Sequence, residues 1–413
     1  MRILFVTPSP PAPSAPSAVP LVAWAQLRAL SARHTVTVVT LAGPDPRELD
    51  ALERLRAADF DVRAIERRDA SVVDRAARWL RNAARWALLR RPMYVVWHHE
   101  PALQRLLTAL CRDQPFDIVH VVDSAMAGYV YDTRAPKLLV EIEARAPRAT
   151  DWTGWMRGNW YRGIMDEADW HWWPRHQRRV WRVFDRIELF TRRDVETVVR
   201  LAPELAPRLH VNPFGIELPA VADPSLEEEG TIAFVGTYTH APNVDAARWL
   251  ALEVMPRLRA RRAGARLELY GADPRGALAD LPRDDVRVHG WVAAIEPAIA
   301  RAAVIAAPVR IGGGQRMKVL QAMAMAKAIV TTPRGADGVV CDDGAPPLAI
   351  GESADALAGR IAELLADPAR RRALGARARA TAEAHHDAGS YGARLEAAYA
   401  QMLGVRAAGR SSS

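Results

Sequence analysis

The sequence predicts two doubly wound α/β domains in tandem, each with a parallel sheet covered by helices. Short, continuously apolar segments alternate with amphipathic stretches of helical length, which is typical of parallel strands buried on both faces. The alternation is interrupted by the acidic, proline-containing residues 219–229 and then resumes. At 413 residues the chain is also too long for one hydrophobic core.

The first half is expected to open with a strand at residues 2–7, a proline- and serine-rich loop at 8–18, and a helix at about 20–32. A helical stretch is predicted from Met126 onward. Further strands are predicted at 35–41, 116–122, 137–143 and 186–191.

In the second half, the strands are predicted at 231–236, 266–271, 286–290, 303–308 and 328–332, and the helices at 243–262, 318–326 and 353–382. The expected domains are therefore residues 1–217 and 218–403, followed by a disordered tail at 404–413. Doubly wound domains bind ligands at the carboxyl ends of their strands, so two facing sheets would form a central cleft between them.

The composition limits the classes of protein. No run of residues reaches the ~18–20 apolar residues of a membrane span, and the N-terminus reads as a buried strand rather than a signal peptide. Cys111 and Cys341 are far apart and lack metal-ligand spacing, which favours a reducing cytoplasm. The formal net charge of +8 allows a nucleotide, a membrane surface or a nucleic acid as an anionic partner.

The use of lysine points to one loop. Of 56 basic residues only Lys137, Lys318 and Lys327 are lysines, and Lys318 follows three glycines in the segment 311–321. Lysine is a compact point charge, whereas arginine is a planar fork. A glycine loop that runs into a helix can present backbone N–H groups and the cations Arg316 and Lys318 to one anion. The alternative is a surface turn before an amphipathic helix.

The second half resembles the retaining glycosyltransferases of the GT-B fold, family four, in the branch found in exopolysaccharide and cell-surface glycan clusters. The similar segments form an ordered series over about a hundred residues: 234–237, 242–245, 267–271, 288–291, 307–325 and 334–338. The first half resembles the acceptor domain of the same family more loosely, through residues 1–8, 116–120 and 211–216.

The resemblance implies that the C-terminal domain binds a UDP- or GDP-linked sugar as a substrate, with no cofactor and no metal. Arg316 and Lys318 would neutralise the diphosphate. The other expected donor-binding residues are Gly236, Gly312, Gly313, Gly314, Gln321, His289 and Gly290. The single Asp-x-Asp sequence, at Asp59 and Asp61, is expected to be a solvated loop rather than a metal site.

The sequence departs from the family pattern at several positions. Of two glutamates that many members carry eight positions apart, the first falls on Gly313 and the second on Gln321, which can still bind a ribose hydroxyl without charge. Ala326 replaces the usual glycine, and Val122 replaces an expected histidine. The first loop, residues 11–17, is rich in proline rather than glycine, and proline offers no N–H to a phosphate.

Asp123 and Glu143, at the ends of neighbouring predicted strands, are the candidate catalytic residues. They would orient the acceptor hydroxyl or support positive charge on the sugar carbon, and the alternative is that they are ordinary loop carboxylates. His120 lies within a strand and is expected in the core. Asn243 is expected to cap the helix that follows it rather than to face the donor.

Seven of the 13 tryptophans fall within residues 150–182, among several arginines. This insertion would contact a membrane surface peripherally, stack on sugar rings, or pack on the N-terminal domain. The basic stretch 75–91 would extend the contact face formed by this insertion or form a solvated amphipathic helix. No nucleic-acid-binding module is recognised.

The sequence therefore predicts a cytoplasmic, metal-independent, hexosyltransferase-like glycosyltransferase. It would transfer a sugar with retention to a hydroxyl of a surface glycan or lipid-linked acceptor, and it would be peripheral on the inner face of the cell membrane. The alternative is a catalytically degenerate relative that binds nucleotide sugar or glycan as a partner in a glycan-assembly complex. A membrane-docking scaffold is a third interpretation.

Overall fold

The chain forms two compact units. The computed structural model describes residues 1–15, 17–67, 71–145, 160–273, 276–342 and 344–411, without the side chains of 160–167 and 405–411. Unit 1 comprises Met1–Asn212 and Gly392–Ser413, and unit 2 comprises Pro213–Tyr391. The division falls five residues before the expected boundary at 217, and the C-terminal segment belongs to unit 1 rather than to unit 2.

Unit 1 contains a seven-stranded parallel sheet with the strand order β3-β2-β1-β4-β5-β6-β7. All five residues of β4 are buried, as expected of a strand covered on both faces. The edge strands β3 and β7 were not predicted from the sequence. The strands are β1 (Arg2–Thr7), β2 (Thr35–Ala42), β3 (Asp61–Glu66), β4 (Ile118–Val122), β5 (Lys137–Glu141), β6 (Arg186–Leu189) and β7 (Leu209–Val211).

The helices of unit 1 connect these strands and cover the sheet. The stretch predicted as helical from Met126 is a single 3₁₀ turn, Met126–Gly128. The α-helices are α1 (Ala18–Ser31), α2 (Pro46–Ala57), α3 (Val72–Leu89), α4 (Met93–Trp97), α5 (Pro101–Asp113), α6 (Trp160–Trp181) and α7 (Arg192–Leu201).

Unit 2 contains a six-stranded parallel sheet with the order β10-β9-β8-β11-β12-β13. Its core is formed by apolar residues of β8, β9 and β11 and of the helices packed on them. The strands are β8 (Glu228–Val235), β9 (Arg266–Tyr270), β10 (Val286–Gly290), β11 (Ala302–Ala307), β12 (Ile329–Thr331) and β13 (Ala349–Ile350).

Two of the helices predicted for unit 2 differ in detail. A π-helical segment, Leu250–Val254, joins α8 to α9. The helix predicted over 353–382 is divided at Pro368, because proline lacks an N–H and disfavours helical geometry at Asp367. The α-helices are α8 (Ala241–Trp249), α9 (Met255–Arg261), α10 (Glu296–Arg301), α11 (Met317–Ala324), α12 (Ala354–Ala366) and α13 (Pro368–His385).

The last helix, α14 (Ala388–Ser411), begins in unit 2 and continues as part of unit 1. Leu395 and Tyr399 are fully buried, and the Tyr399 hydroxyl lies 2.6 Å from His120 Nδ1 in β4. The backbone of α14 is helical as far as Ser411, the last described residue.

The predicted fold class is confirmed, since both units are α/β with an entirely parallel sheet. None of the helices within the described ranges combines the length and apolar character that crossing a membrane requires.

Candidate functional site

The glycine loop of unit 2 connects the end of β11 to the start of α11. Gly312 and Gly314 have φ angles of 88° and 73°, which L-residues with a side chain rarely adopt. The Arg316 guanidinium donates to the carbonyls of Gly312 and Gly313 at 2.8 and 2.6 Å. Arg334 also donates to the Gly312 carbonyl, at 3.1 Å. The loop is therefore held in its turn by two arginines bonded to its own carbonyls.

Lys318 lies in the first turn of α11. Its ammonium group donates to Asn243 Oδ1 at 2.6 Å and lies 4.3 Å from the centroid of the Phe234 ring. Desolvation, together with the Arg316 guanidinium, lowers the pKa of Lys318 to about 7. These neighbours are a neutral amide and an aromatic face, so a bound anion would supply the charge that they lack.

Asn243 connects this lysine to the loop after β8. Its amide Nδ2 donates to the Thr237 carbonyl at 3.0 Å, while its oxygen accepts from Lys318. The expectation that Asn243 caps the helix is wrong, because His240 occupies the N-cap position of α8 and Asn243 lies inside the first turn. A Cβ at Gly236 would lie 2.8 Å from Asn243 Cγ, so the site requires glycine there for close packing.

The expected nucleobase region lies at the end of β10. His289 Nε2 lies 2.5 Å from Glu268 Oε2, and its ring stacks on Tyr270 with centroids 4.4 Å apart. The Gly290 carbonyl accepts from the Gly271 N–H at 2.7 Å, and Gly290 has a φ of 74°. This carbonyl is thus engaged in joining two strand ends.

Gln321 is half-buried and lies on α11 three residues after Lys318, so both side chains project from the same face of the helix. Ala326, which follows α11, has a φ of 58°. Glycine, which the resemblance implied at this position, would adopt this left-handed backbone more readily than alanine.

Gln315 was not recognised from the sequence. Its Oε1 accepts from the Phe214 N–H at 2.6 Å, and its Nε2 donates to the Gly338 carbonyl at 2.8 Å. These bonds tie the glycine loop to two other segments of unit 2. A glutamine next to three glycines carries no sequence signal for such a role.

Unit 1 contains a buried carboxyl group that the sequence analysis also missed. Glu141, the last residue of β5, is 2% exposed and accepts from the Trp181 indole N–H at 2.6 Å and from the Ser124 hydroxyl. Burial raises the pKa of Glu141 to about 8, and the neighbouring Asp123 adds to the shift. The sequence signal for Glu141 was its spacing: it precedes Glu143 by two residues, and residues two apart in a strand lie on the same face.

The two predicted catalytic carboxylates occupy this region of unit 1. Asp123 is buried with a φ of 76°, and its carboxylate accepts from the Ala125 N–H at 2.8 Å. The pKa of Asp123 is raised, mainly by burial. Glu143 is half-buried and lies 3.4 Å from Arg145 Nε.

His120 is a core residue, as expected. Its Nε2 lies 3.0 Å from Gln26 Oε1, and its Nδ1 lies 2.6 Å from the Tyr399 hydroxyl. Burial lowers the pKa of His120 to about 3, so the ring is neutral.

The tryptophan-rich segment packs on unit 1 where it is described. Trp173 and Trp181 are buried, and Trp170 and Trp172 are half-buried. Trp152 and Trp155, and the side chain of Trp160, lie outside the described residues. The packing interpretation therefore holds for the described tryptophans.

The predicted Asp-x-Asp loop has local partners. Asp61 accepts from the Thr37 hydroxyl at 2.9 Å and pairs with Arg63 at 2.9 Å. Within the described ranges, no group of three or more His, Cys, Asp or Glu side chains has an arrangement that would hold a metal ion.

Residues 229–367, about a third of the chain, match the family model described as "Glycosyl transferases group 1". The matched range contains the glycine loop, Lys318 and Gln321. Curated protein sequences give no match to this chain.

Solved structures share the fold over almost the whole chain. A protein from Anabaena, HepE, in complex with UDP and glucose is 12% identical with a TM-score of 0.68, and the alignment covers 97% of this chain and 100% of HepE. Sucrose-phosphate synthase from Thermosynechococcus elongatus is 16% identical with a TM-score of 0.66, over 98% and 99% of the two chains. A trehalose-6-phosphate protein from E. coli bound with UDP-2-fluoro glucose is 12% identical with a TM-score of 0.64, over 97% and 99%. The chain thus has the GT-B glycosyltransferase fold.

Proposed function

We propose that the protein is a retaining glycosyltransferase of the cytoplasm. It transfers a sugar, of the hexose type, from a UDP- or GDP-linked donor to a hydroxyl of a surface glycan or lipid-linked acceptor, as in exopolysaccharide biosynthesis. The match of unit 2 to the glycosyl transferases group 1 model supports the transferase class. The bound UDP and UDP-sugar of the similar structures support the donor class.

The position of Lys318 carries the proposal. The ammonium is desolvated at the start of α11, and its hydrogen-bond partner Asn243 is neutral. An anion at this helix N-terminus would gain both the helix dipole and the lysine charge. A diphosphate fits this requirement, because its negative charge increases when the bond to the sugar breaks.

The remaining donor contacts follow from the loop geometry. Gly312 and Gly314 allow backbone N–H groups to approach the phosphates, and Arg316 adds positive charge while it holds the loop. Gln321 is proposed to bind the ribose hydroxyls. His289 and Gly290 are proposed to pair with the nucleobase through backbone groups other than the Gly290 carbonyl, which accepts from Gly271. The chemistry needs no metal if these groups neutralise the diphosphate.

Asp123 and Glu143 are proposed to act on the acceptor side. Asp123 is held by the Ala125 N–H, and Glu143 is close to Arg145, so both carboxyl groups have defined positions. Their roles are to orient the acceptor hydroxyl and to support positive charge on the sugar carbon.

Calorimetric titration of UDP and GDP into the wild type and Lys318→Ala tests the donor assignment. Loss of one charge-assisted contact, worth about 1.5–3 kcal/mol, predicts a 10- to 100-fold weaker binding of the preferred nucleotide. Lys137→Ala is the matched control, because Lys137 lies in unit 1 and donates to the Thr133 carbonyl. Equal binding by wild type and Lys318→Ala would show that the anion site is misassigned.

The alternative function is a catalytically degenerate relative that binds nucleotide sugar or glycan as a partner in a glycan-assembly complex. It is favoured by Gln321, which has no charge, and by Val122, which is fully buried in β4 and offers no polar group. Donor hydrolysis and transfer assays with the sugar of the preferred nucleotide separate the two. Turnover that Lys318→Ala abolishes supports the enzyme, whereas tight binding without turnover on any tested acceptor supports the degenerate relative.

A further inference from the structure

Helix α3 (Val72–Leu89) presents its apolar face to solvent. Val73, Leu80 and Leu88 are 74%, 62% and 82% exposed, and Ala84 between them is also exposed. These positions are separated by seven, four and four residues, so they form one stripe along the helix. An amphipathic helix of a globular protein normally buries this stripe.

The polar face of α3 is turned toward the protein instead. Asn82 is buried, and the half-buried Arg78 lies 5.5 Å from the centroid of the Trp97 ring of α4. Trp86 donates its indole N–H to Asp169 of α6 at 2.5 Å. The contacts of Arg78 with α4 and of Trp86 with α6 fix the orientation of α3. The apolar stripe, on the opposite side of the helix, is therefore left exposed.

Positive charge borders the stripe. Asp74 is the sole acidic residue between Val72 and Arg91, and it caps the start of α3 through Ser71. Arg81 precedes Leu88 by two helical turns and therefore lies along the same edge. The arginines of 72–91 are Arg75, Arg78, Arg81, Arg85, Arg90 and Arg91.

The basic region continues onto α6. Burial lowers the pKa of Arg91, and the charge of Arg179 lowers it further, which places the two guanidinium groups near each other. Arg175, Arg178 and Arg179 are exposed.

We propose that the apolar stripe of α3 is a docking face for a lipid bilayer that contains anionic lipids. Leu80 and Leu88 would enter the boundary between headgroups and acyl chains, and the bordering arginines would contact the headgroups. A second copy of the chain is disfavoured as the occupant, because pairing two such faces would bring their arginines together. This surface differs from the buried Trp173 and Trp181, and its function does not depend on the proposed sugar transfer.

Flotation of the full chain with phosphatidylcholine vesicles, with and without phosphatidylglycerol, tests the proposal. Leu80→Ser/Leu88→Ser is expected to lower the bound fraction at least about tenfold, because two exposed leucines lose their burial in the membrane. Arg81→Ser is expected to weaken binding to anionic vesicles about fivefold. Leu226→Ser/Leu252→Ser is the matched control, since these leucines are 53% and 44% exposed in unit 2.

Equal flotation of the wild type and Leu80→Ser/Leu88→Ser overturns the proposal, as does equal binding to vesicles with and without the anionic lipid. A dimer in analytical ultracentrifugation that Leu80→Ser/Leu88→Ser abolishes would identify a second copy as the occupant and overturn it too. Circular dichroism checks that the variants are folded. UDP and GDP binding measured on the same variants keeps a failure of docking distinct from a failure of the donor assignment.

Discussion

At the scale of single residues, the two lysines of unit 2 have opposite environments. Lys327 is buried and pairs with Glu227 at 2.5 Å, so its charge is compensated within the fold. Lys318 bonds to the neutral Asn243 and has a pKa lowered to about 7. A charge left without a counterion in a desolvated position is typical of a group that acts on a ligand.

The pH dependence of nucleotide binding follows from this difference. An anion favours the protonated lysine. Binding would therefore raise the pKa of Lys318 above its value of about 7 in the protein without ligand. We expect the affinity for the preferred nucleoside diphosphate to be highest below pH 7 and to fall as the pH rises from 7 to 9. Calorimetry at several pH values measures this fall.

Lys318→Arg is the control for the pH dependence, because arginine stays charged over this range and leaves only the titration of the ligand. If wild type and Lys318→Arg show the same pH profile, Lys318 does not titrate in the site.

Glu141 gives a second pH prediction, for stability. The pKa of Glu141 is about 8 in the folded chain, above the ordinary 4.5, so the folded state holds a proton that the unfolded state releases. The contribution of Glu141 to the free energy of unfolding is therefore fully present below pH 4.5 and falls as the pH rises to 8, by up to about 1.4 kcal/mol per pH unit. Glu141→Gln should remove this part of the slope, which thermal unfolding at several pH values detects.

Glu204→Gln is the comparison for Glu141→Gln. Glu204 is an exposed glutamate of unit 1 whose pKa is lowered by the hydrogen bond from Arg182, so it exchanges no proton in this window. If Glu141→Gln leaves the pH dependence of the free energy of unfolding between pH 5 and 8 unchanged, Glu141 does not have the raised pKa in the folded protein.

At the scale of elements, helix packing in unit 2 depends on glycine. Gly375 in α13 lies against the end of α11, where a Cβ would be 2.0 Å from the Ala326 carbonyl oxygen. Ala326 itself has a left-handed backbone, and the Lys327 N–H bonds back to the Ala322 carbonyl. The close approach of α13 therefore supports the turn that ends α11, the helix that bears Lys318 and Gln321.

Two helical glycines give a matched comparison. Gly375→Ala must displace α13 or the turn at Ala326, and we expect it to lower the free energy of unfolding by about 2–4 kcal/mol. At Gly359 in α12 an added Cβ would meet open space. Gly359→Ala should therefore raise the free energy of unfolding by about 0.5–1 kcal/mol. Chemical denaturation of both variants measures the difference, and equal effects would show that the contact with Ala326 relaxes without cost.

At the scale of the whole molecule, the end of the chain completes the unit with which it begins. The last part of α14 belongs to unit 1, where Tyr399 lies against His120 and Arg33 pairs with Glu396 at 2.7 Å. Arg394 donates to Asn212 at 2.8 Å, next to the boundary between the units. Unit 1 therefore forms from two segments that are separated in sequence by the whole of unit 2.

Truncation tests this arrangement. Deletion of residues 392–413 removes the buried Leu395 and Tyr399 and should destabilise unit 1 by more than about 5 kcal/mol, detected by limited proteolysis and denaturation. Tyr399→Ala alone should cost about 3–5 kcal/mol. Deletion of 405–413 is the control and should have little effect. Unchanged unfolding after removal of 392–413 would rule out a structural role for the helix.

The sequence predicted most of the buried strands, because a fully covered parallel strand needs a continuous apolar run such as the one in β4. It was less successful at the edges: β3 and β7 are partly exposed and have weaker patterns. Among the candidate site residues, the glycines and Lys318 carried a local signal. Gln315 and the actual contacts of Asn243 carried none, and the burial of Glu141 was not visible in its spacing from Glu143, since these roles come from partners distant in the chain.

The sequence by itself determined the two α/β domains, the glycine loop and the selective use of lysine, since these depend on local periodicity, turn chemistry and composition. The tertiary structure alone decided that α14 returns to unit 1, that Glu141 is buried beside Trp181, and that α3 turns its apolar stripe outward. The physical reason is that helical periodicity shows which residues share a face, whereas packing against residues far along the chain decides which face is covered.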